Sequence, residues 1–327
     1  KESFSNDIYD AEYQRAIVCS FHIKNDFPSE YFANNKKEIK ESLKRGEIDE
    51  IAYNNCIKNA INSRIYAFSW YLDSVADNWD VLILNNYEAV MPLPWRSKYF
   101  IKYIFPPPWT QQLGVFSKNE IEPIVIQEFI TAIPTKFKKI TIQFNAENKM
   151  SSLTITERKN FVLPLNNTLE QIIKKFNKNR KRDLVKAKEF GLKIVKNIEV
   201  PEFLEFYLEL KKNYEINLNQ QEAINVLLNS NNEAVCIWGI KKNSELIASL
   251  CWLKDKKRIT YLLPVATTEA KRNGLPSFII SELIKTFSGT NLVLDFEGSM
   301  IEGVANFYKS FGAEVENYYL FKKINFF

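Results

Sequence analysis

Three runs rich in β-branched and aromatic residues follow one another at residues 234–241, 245–254 and 257–266, separated only by short polar turns. Strands joined that closely must pair antiparallel, because a parallel return needs a crossover of a dozen residues or more. Around this meander the hydrophobic spacing predicts a strand near 192–197 and helices near 201–216 and 220–229. It predicts a helix from about Leu275 to Phe287 after the meander, then a strand Asn291–Phe296, a helix near 300–310 and a last strand near 314–324. The earlier half reads as a helix from Glu47 to about Leu72, extended segments at 79–84, 87–95, 99–105 and 110–116, a helix near 121–134 and strands near 138–144 and 157–165. Pro106-Pro107-Pro108 forces an extended, irregular connection without backbone donors. Asn35 to Glu50 is Lys/Glu-rich and predicts an exposed helix, while residues 1–42 form an N-terminal extension that the pattern does not place.

A chain of 327 residues exceeds the usual single core, so two domains are expected, at 43–165 and 166–327. The fold class is α/β in the α+β sense, with mixed, mostly antiparallel sheets flanked by helices. Cys19, Cys56, Cys236 and Cys251 have no metal-ligand spacing, and His22 is the one histidine. These facts argue against a Cys/His zinc site, an HExxH metalloprotease and a Ser-His-Asp triad, so no metal is expected. No apolar run reaches 18 residues, so no membrane span is expected and a cytoplasmic location is the default.

The net charge of +5 has one local source. Residues 174–188 carry eight basic side chains against Asp183 alone, which leaves 36 basic and 38 acidic residues elsewhere. A capping-box pattern at Asn167 or Thr168 with Gln171 and a terminating Gly191 put this patch on helices. It reads either as a solvated helical face or as a phosphate site centred on Arg180 and Arg182, for a carrier, a nucleotide-linked substrate or tRNA.

Glycine is scarce, yet five of nine fall in the last 54 residues. Gly298 follows a strand and precedes Ser299, which with Glu302 has capping-box spacing, so a strand is expected to end beside a helix N-terminus, where α/β sheets bind ligands. Asp295 and Glu297 alternate on that strand and should share a face, where either could take a proton from an attacking amine. The same carboxylates could instead hold loops. In the first half, Trp95, Arg96, Trp109, Gln111 and Gln112 combine aromatic walls with amides in a composition suited to an acceptor pocket, or to ordinary core packing.

Ile65-Tyr-Ala-Phe-Ser-Trp-Tyr71, Pro92-Leu-Pro-Trp95, Thr110-Gln-Gln-Leu-Gly114, Asn179-Arg-Lys-Arg182 with Lys186-Ala187, Leu294-Asp-Phe-Glu-Gly-Ser299 and Phe307-Tyr-Lys-Ser-Phe-Gly312 together resemble the Fem-like branch of the GNAT acyltransferase superfamily over roughly residues 43–327. The resemblance implies tandem GNAT-like domains, the first degenerate, and acyl or aminoacyl transfer from acyl-CoA or aminoacyl-tRNA to a small-molecule or peptide amine, with no tightly bound cofactor. It implies that Tyr308 protonates the leaving group. It also places the pyrophosphate loop of the ordinary GNAT pattern at Arg272, Gly274 and Ser277, where a single glycine and Pro276 depart from that pattern. The departure favours a carrier other than coenzyme A. Two other functions stay open at this point: a catalytically silent protein binding RNA or a phosphorylated ligand, and an ordinary acetyl-CoA N-acetyltransferase.

Overall fold

Glu245–Lys254 is buried at every position except its two ends, as only a strand covered on both faces can be. The computed structural model describes residues 39–150, 155–212, 216–230 and 232–325; Cys19, His22 and most of the N-terminal extension lie outside these residues. The strands are β1 Ile39–Lys44, β2 Asn78–Leu84, β3 Ala89–Lys98, β4 Ile101–Ile104, β5 Phe116–Ser117, β6 Phe137–Phe144, β7 Ile155–Pro164, β8 Ile194–Lys196, β9 Val235–Lys242, β10 Glu245–Lys254, β11 Arg258–Ala266, β12 Val293–Asp295 and β13 Glu314–Ile324. The α-helices are α1 Glu50–Asn59, α2 Ser69–Val75, α3 Pro123–Thr131, α4 Leu169–Lys174, α5 Lys178–Phe190, α6 Val200–Leu210, α7 Leu218–Leu228, α8 Thr268–Arg272, α9 Leu275–Phe287 and α10 Glu302–Lys309.

All the strands join one sheet in the order β1-β2-β3-β4-β6-β13-β7-β12-β11-β10-β9-β8, with β5 paired to β3. Only β4–β6 and β11–β12 among the named pairs are parallel. The sheet runs unbroken across residue 165, since β13 pairs with both β6 and β7, and β7 also pairs with β12. One hydrophobic core likewise draws Tyr53, Tyr66 and Tyr71 from the first half and Phe203, Ile224 and Cys251 from the second. A second core packs α5, α9 and α10 on the other face of β9–β12, and a third lies under α3.

Between β11 and β12 the pairing lasts three residues, Arg258–Thr260 against Val293–Asp295. Beyond them β11 continues to Ala266 paired with β10 but no longer with β12, and the sheet opens there. The split expected between 257–266 and 291–296 is therefore present inside an otherwise continuous sheet.

The capping box at Thr168 and Gln171 forms, and Gly191 closes α5 in the left-handed conformation, φ +75°. Two expectations fail. The stretch Asn35 to Glu50 is strand rather than helix at Ile39–Lys44, an edge strand pairing with β2. The helix expected from Glu47 to Leu72 breaks after Asn59, because Asn62 is buried to donate to Val115 O at 2.8 Å and Asn145 Oδ1 at 3.1 Å. Two hairpins use positive φ at both turn residues: Asn243-Ser244 (+51°, +69°) and Tyr99-Phe100 (+50°, +65°). The first suits the residue types. The second holds two bulky aromatics left-handed, at a cost of about 1–2 kcal/mol each.

Candidate active site

β12 ends at Asp295, and Glu297 and Gly298 both adopt positive φ (+58° and +57°), which turns the chain out of the sheet. Gly298 is required, since a Cβ there would lie 2.3 Å from Lys159 O. The turn breaks the strand alternation, so the carboxylates of Asp295 and Glu297 take different partners.

Asp295 is buried, and its carboxylate is fully engaged. Oδ2 accepts from Arg258 Nη1 at 2.8 Å, and Oδ1 accepts from Asn160 Nδ2 at 2.9 Å and from the Glu297 N–H at 3.0 Å. Arg258 also donates to both Glu316 oxygens, at 2.6 and 3.0 Å, and Arg64 reaches Glu147 at 2.8 Å and Glu316 at 3.7 Å. Asp295 therefore anchors the turn from below through a buried ion cluster.

The Glu297 side chain goes elsewhere. Its Oε1 accepts from the Tyr66 hydroxyl, and its carbonyl accepts from Gln111 Nε2. Gln112 Nε2 donates in turn to Gln111 Oε1 at 2.7 Å. Burial pushes the Glu297 carboxyl well above the ordinary carboxylate range; the Tyr66 hydrogen bond opposes this, and the Asp295 charge adds to it. Its charge is felt at the hydroxyls of Tyr71, Tyr207 and Tyr308, each of which burial keeps protonated. Tyr71 donates to Trp109 O, and Trp109 Nε1 donates to Gln220 O at 3.1 Å, so α7 is tied to the same group.

Two cavities lie among the candidate residues, and Glu297 lines neither. One, of about 810 Å³, is lined by Arg96, Pro106–Pro108, Thr110, Arg158, Asn217–Gln220 and Lys322. The other, of about 480 Å³, opens where β11 parts from β12 and is lined by Arg180, Lys211, Tyr261, Pro264, Ser277 and Tyr308 among others. Tyr308 stacks on Phe296 at 4.8 Å.

Arg180 faces inward at this second cavity. Its guanidinium lies 4.6 Å from the Phe307 ring centre, bonds Ser277 Oγ and pairs with Asp183 at 3.1 Å, while Nε is buried without a hydrogen-bond partner. Ser277 Oγ donates to Asp183 Oδ2 at 3.0 Å. A carboxylate from α5 thus already occupies the N-terminus of α9. Gly274 (φ +72°) permits this approach, because a Cβ there would lie 2.4 Å from Asp183 O. Gly274→Ala is expected to destabilise the protein by about 2–3 kcal/mol in urea unfolding, from overpacking plus left-handed strain. A change under about 0.5 kcal/mol would show that α5 is free to move.

The other sequence candidates separate from this group. Trp95 donates to Asp80 Oδ1 at 2.9 Å, packs on Phe137 and lies under Lys102. Arg182 is exposed and bonds Asn179; Arg272 is exposed at the end of α8. Ser299 does not cap a helix: α10 begins at Glu302 with Ile301 as N-cap, and Ser299 Oγ accepts from Ile301 N. Tyr66 and Tyr71 were missed as site residues although both stand in a quoted motif, and Arg258, Asn160 and Glu316 carry no sequence signal. Among the described residues no group of three His, Cys, Asp or Glu could hold a metal, and no helix is long and apolar enough to cross a membrane.

The FemAB family model matches residues 96–222 of the chain. That segment holds Arg96, Trp109, Gln111, Gln112 and Arg180, and stops short of Glu297 and Tyr308. The chain is similar in structure to FemX (TM-score 0.63, 9% identity, covering 86% of this chain and 97% of that one). It is also similar to L-PGS from Bacillus licheniformis (TM-score 0.56, 12% identity, 88% and 94% covered). A third similar structure is the C-terminal domain of a putative lysylphosphatidylglycerol synthetase from Agrobacterium fabrum (TM-score 0.54, 11% identity, 85% and 92% covered). At these identities the likeness is one of fold. No curated protein matches the chain in sequence.

Proposed function

We propose that this chain is an N-acyltransferase that moves an aminoacyl group from aminoacyl-tRNA to an amine, with Glu297 as proton acceptor. The observation that carries the reading is the Glu297 carboxyl, raised by burial and held by Tyr66 at a left-handed turn. A base with a raised pKa is suited to remove the proton that an amine must lose as it attacks an acyl carbon.

In this reading the acceptor enters through the cavity of Arg96, Thr110 and Arg158, and the donor through that of Arg180 and Tyr308. The amine nitrogen bonds to the acyl carbon, the ester C–O bond breaks, Glu297 takes the proton from nitrogen, and the Tyr308 phenol, kept protonated by burial, supplies one to the leaving hydroxyl. Coenzyme A is the weaker candidate donor, because Asp183 stands at the helix N-terminus where a pyrophosphate would be cradled.

Thermal shift distinguishes the donors, since a ligand at a hundred times its Kd stabilises the native state by about 2.7 kcal/mol. Aminoacyl-tRNA is expected to raise Tm and acetyl-CoA to leave it unchanged, and Arg180→Gln should remove most of the tRNA effect. A rise with acetyl-CoA alone would assign the chain to coenzyme A chemistry. Binding of aminoacyl-tRNA without transfer to any amine would make it a silent binding protein.

A further inference from the structure

Beyond the reaction, the β3–β4 hairpin carries an interaction surface. Its two turn residues are the most exposed aromatics of the described chain, Tyr99 at 83% and Phe100 at 103%. Both are held at positive φ, where Asn-Gly would sit without strain. Left-handed strain in bulky residues persists only where the surroundings hold it and clusters at functional sites; Lys98 Nζ lies 5.5 Å from the Tyr99 ring centre, and Phe100 is fully exposed.

The surroundings are basic and apolar. Lys98 pairs with Ile101 across the hairpin, β4 pairs with the start of β6, and Lys139 pairs with Ile324 of β13. One end of the sheet therefore gathers Lys98, Lys102, Lys139 and Lys323, with Ile101 and Ile324 at 42% and 62% exposure. The acids near this end are already paired, Asp77 with Arg96 at 3.0 Å and Asp80 with Lys136 at 2.7 Å. The unmet charge is positive.

We infer that the Tyr99-Phe100 tip docks the protein on an anionic phospholipid bilayer. Aromatic rings favour the headgroup level, lysines are drawn to anionic lipid, and their stems lie along the apolar boundary. A nucleic acid would also attract the lysines, but it gives Phe100 no apolar medium to enter. The inference stands independently of the acyl-transfer reading.

Co-sedimentation of the full chain with vesicles tests it. Binding is expected to phosphatidylglycerol/phosphatidylcholine vesicles and not to phosphatidylcholine alone, weakening as salt shortens the Debye length. Tyr99→Asn with Phe100→Gly installs favoured turn residues, so the fold is retained, and binding should fall roughly tenfold or more. Lys98→Gln with Lys102→Gln should cost roughly tenfold. Equal binding by the turn variant, or none by the wild type, overturns the inference. Loss of a tRNA gel shift in the turn variant, without vesicle binding, overturns it in favour of RNA.

Discussion

Glu297→Gln is expected to lower turnover with aminoacyl-tRNA and an amine acceptor about 10²–10⁴-fold while leaving the protein no less stable. The two effects separate because of the sign of the shift. A carboxyl raised by burial favours its protonated form in the folded state, so its contribution to stability is full below the ordinary value near 4.5 and is lost as pH rises through the raised pKa. Glutamine mimics the protonated form, and the variant should therefore lose less stability on going alkaline than the wild type does. Activity runs the other way, since the base must be ionised: the rate should climb as pH rises through the raised pKa. Tyr66→Phe removes the hydrogen bond that favours the charged carboxylate, and should move that climb to higher pH. Wild-type turnover in folded Glu297→Gln, or a pH profile unmoved by Tyr66→Phe, would place the proton acceptor elsewhere.

Arg258→Met should cost about 3–5 kcal/mol, because removing one member of a buried ion cluster leaves its partners uncompensated. Asp295 and Glu316 would both be stranded, and the Asp295 anchor that fixes the Glu297 N–H would loosen. Burial raises the Glu316 carboxyl, but the hydrogen bond and charge of Arg258, with Arg64, outweigh it and hold the group below its usual range. A depressed carboxyl contributes stability above its unfolded pKa and loses it as pH falls through the folded one. Wild-type stability should thus drop on acidification below about 4.5, and the variant should show a shallower drop from a lower starting point. Chemical denaturation across pH measures both; a loss under about 1 kcal/mol would mean the cluster is hydrated and of little consequence.

Much of the second half was legible, because local rules decide it. β10 is apolar nearly throughout, Thr168-Gln171 is a self-contained cap, and Gly191 answers one backbone demand. β1 was misread because its Lys- and Glu-rich run has good helix formers, while pairing with β2 decides its conformation. The candidate site was half legible. Tyr308, Arg180 and Ser277 line one cavity, while Glu297 stands outside that lining and takes partners different from those of Asp295, since period-two reasoning does not foresee two successive left-handed residues. Tyr66 meets Glu297 across 231 positions, and Arg258 meets Glu316 across 58; contacts at such separations leave no local pattern.

β13 lies between β6 and β7 and follows every other described strand in the chain. During synthesis both neighbours are made long before it and wait with open edges, a state prone to mispairing. Gln111 and Glu297 come from opposite sides of that gap. A nascent chain can therefore fold either flank early, yet it completes the sheet that joins them only after β13 has left the ribosome, so the centre assembles later than the flanks that supply it.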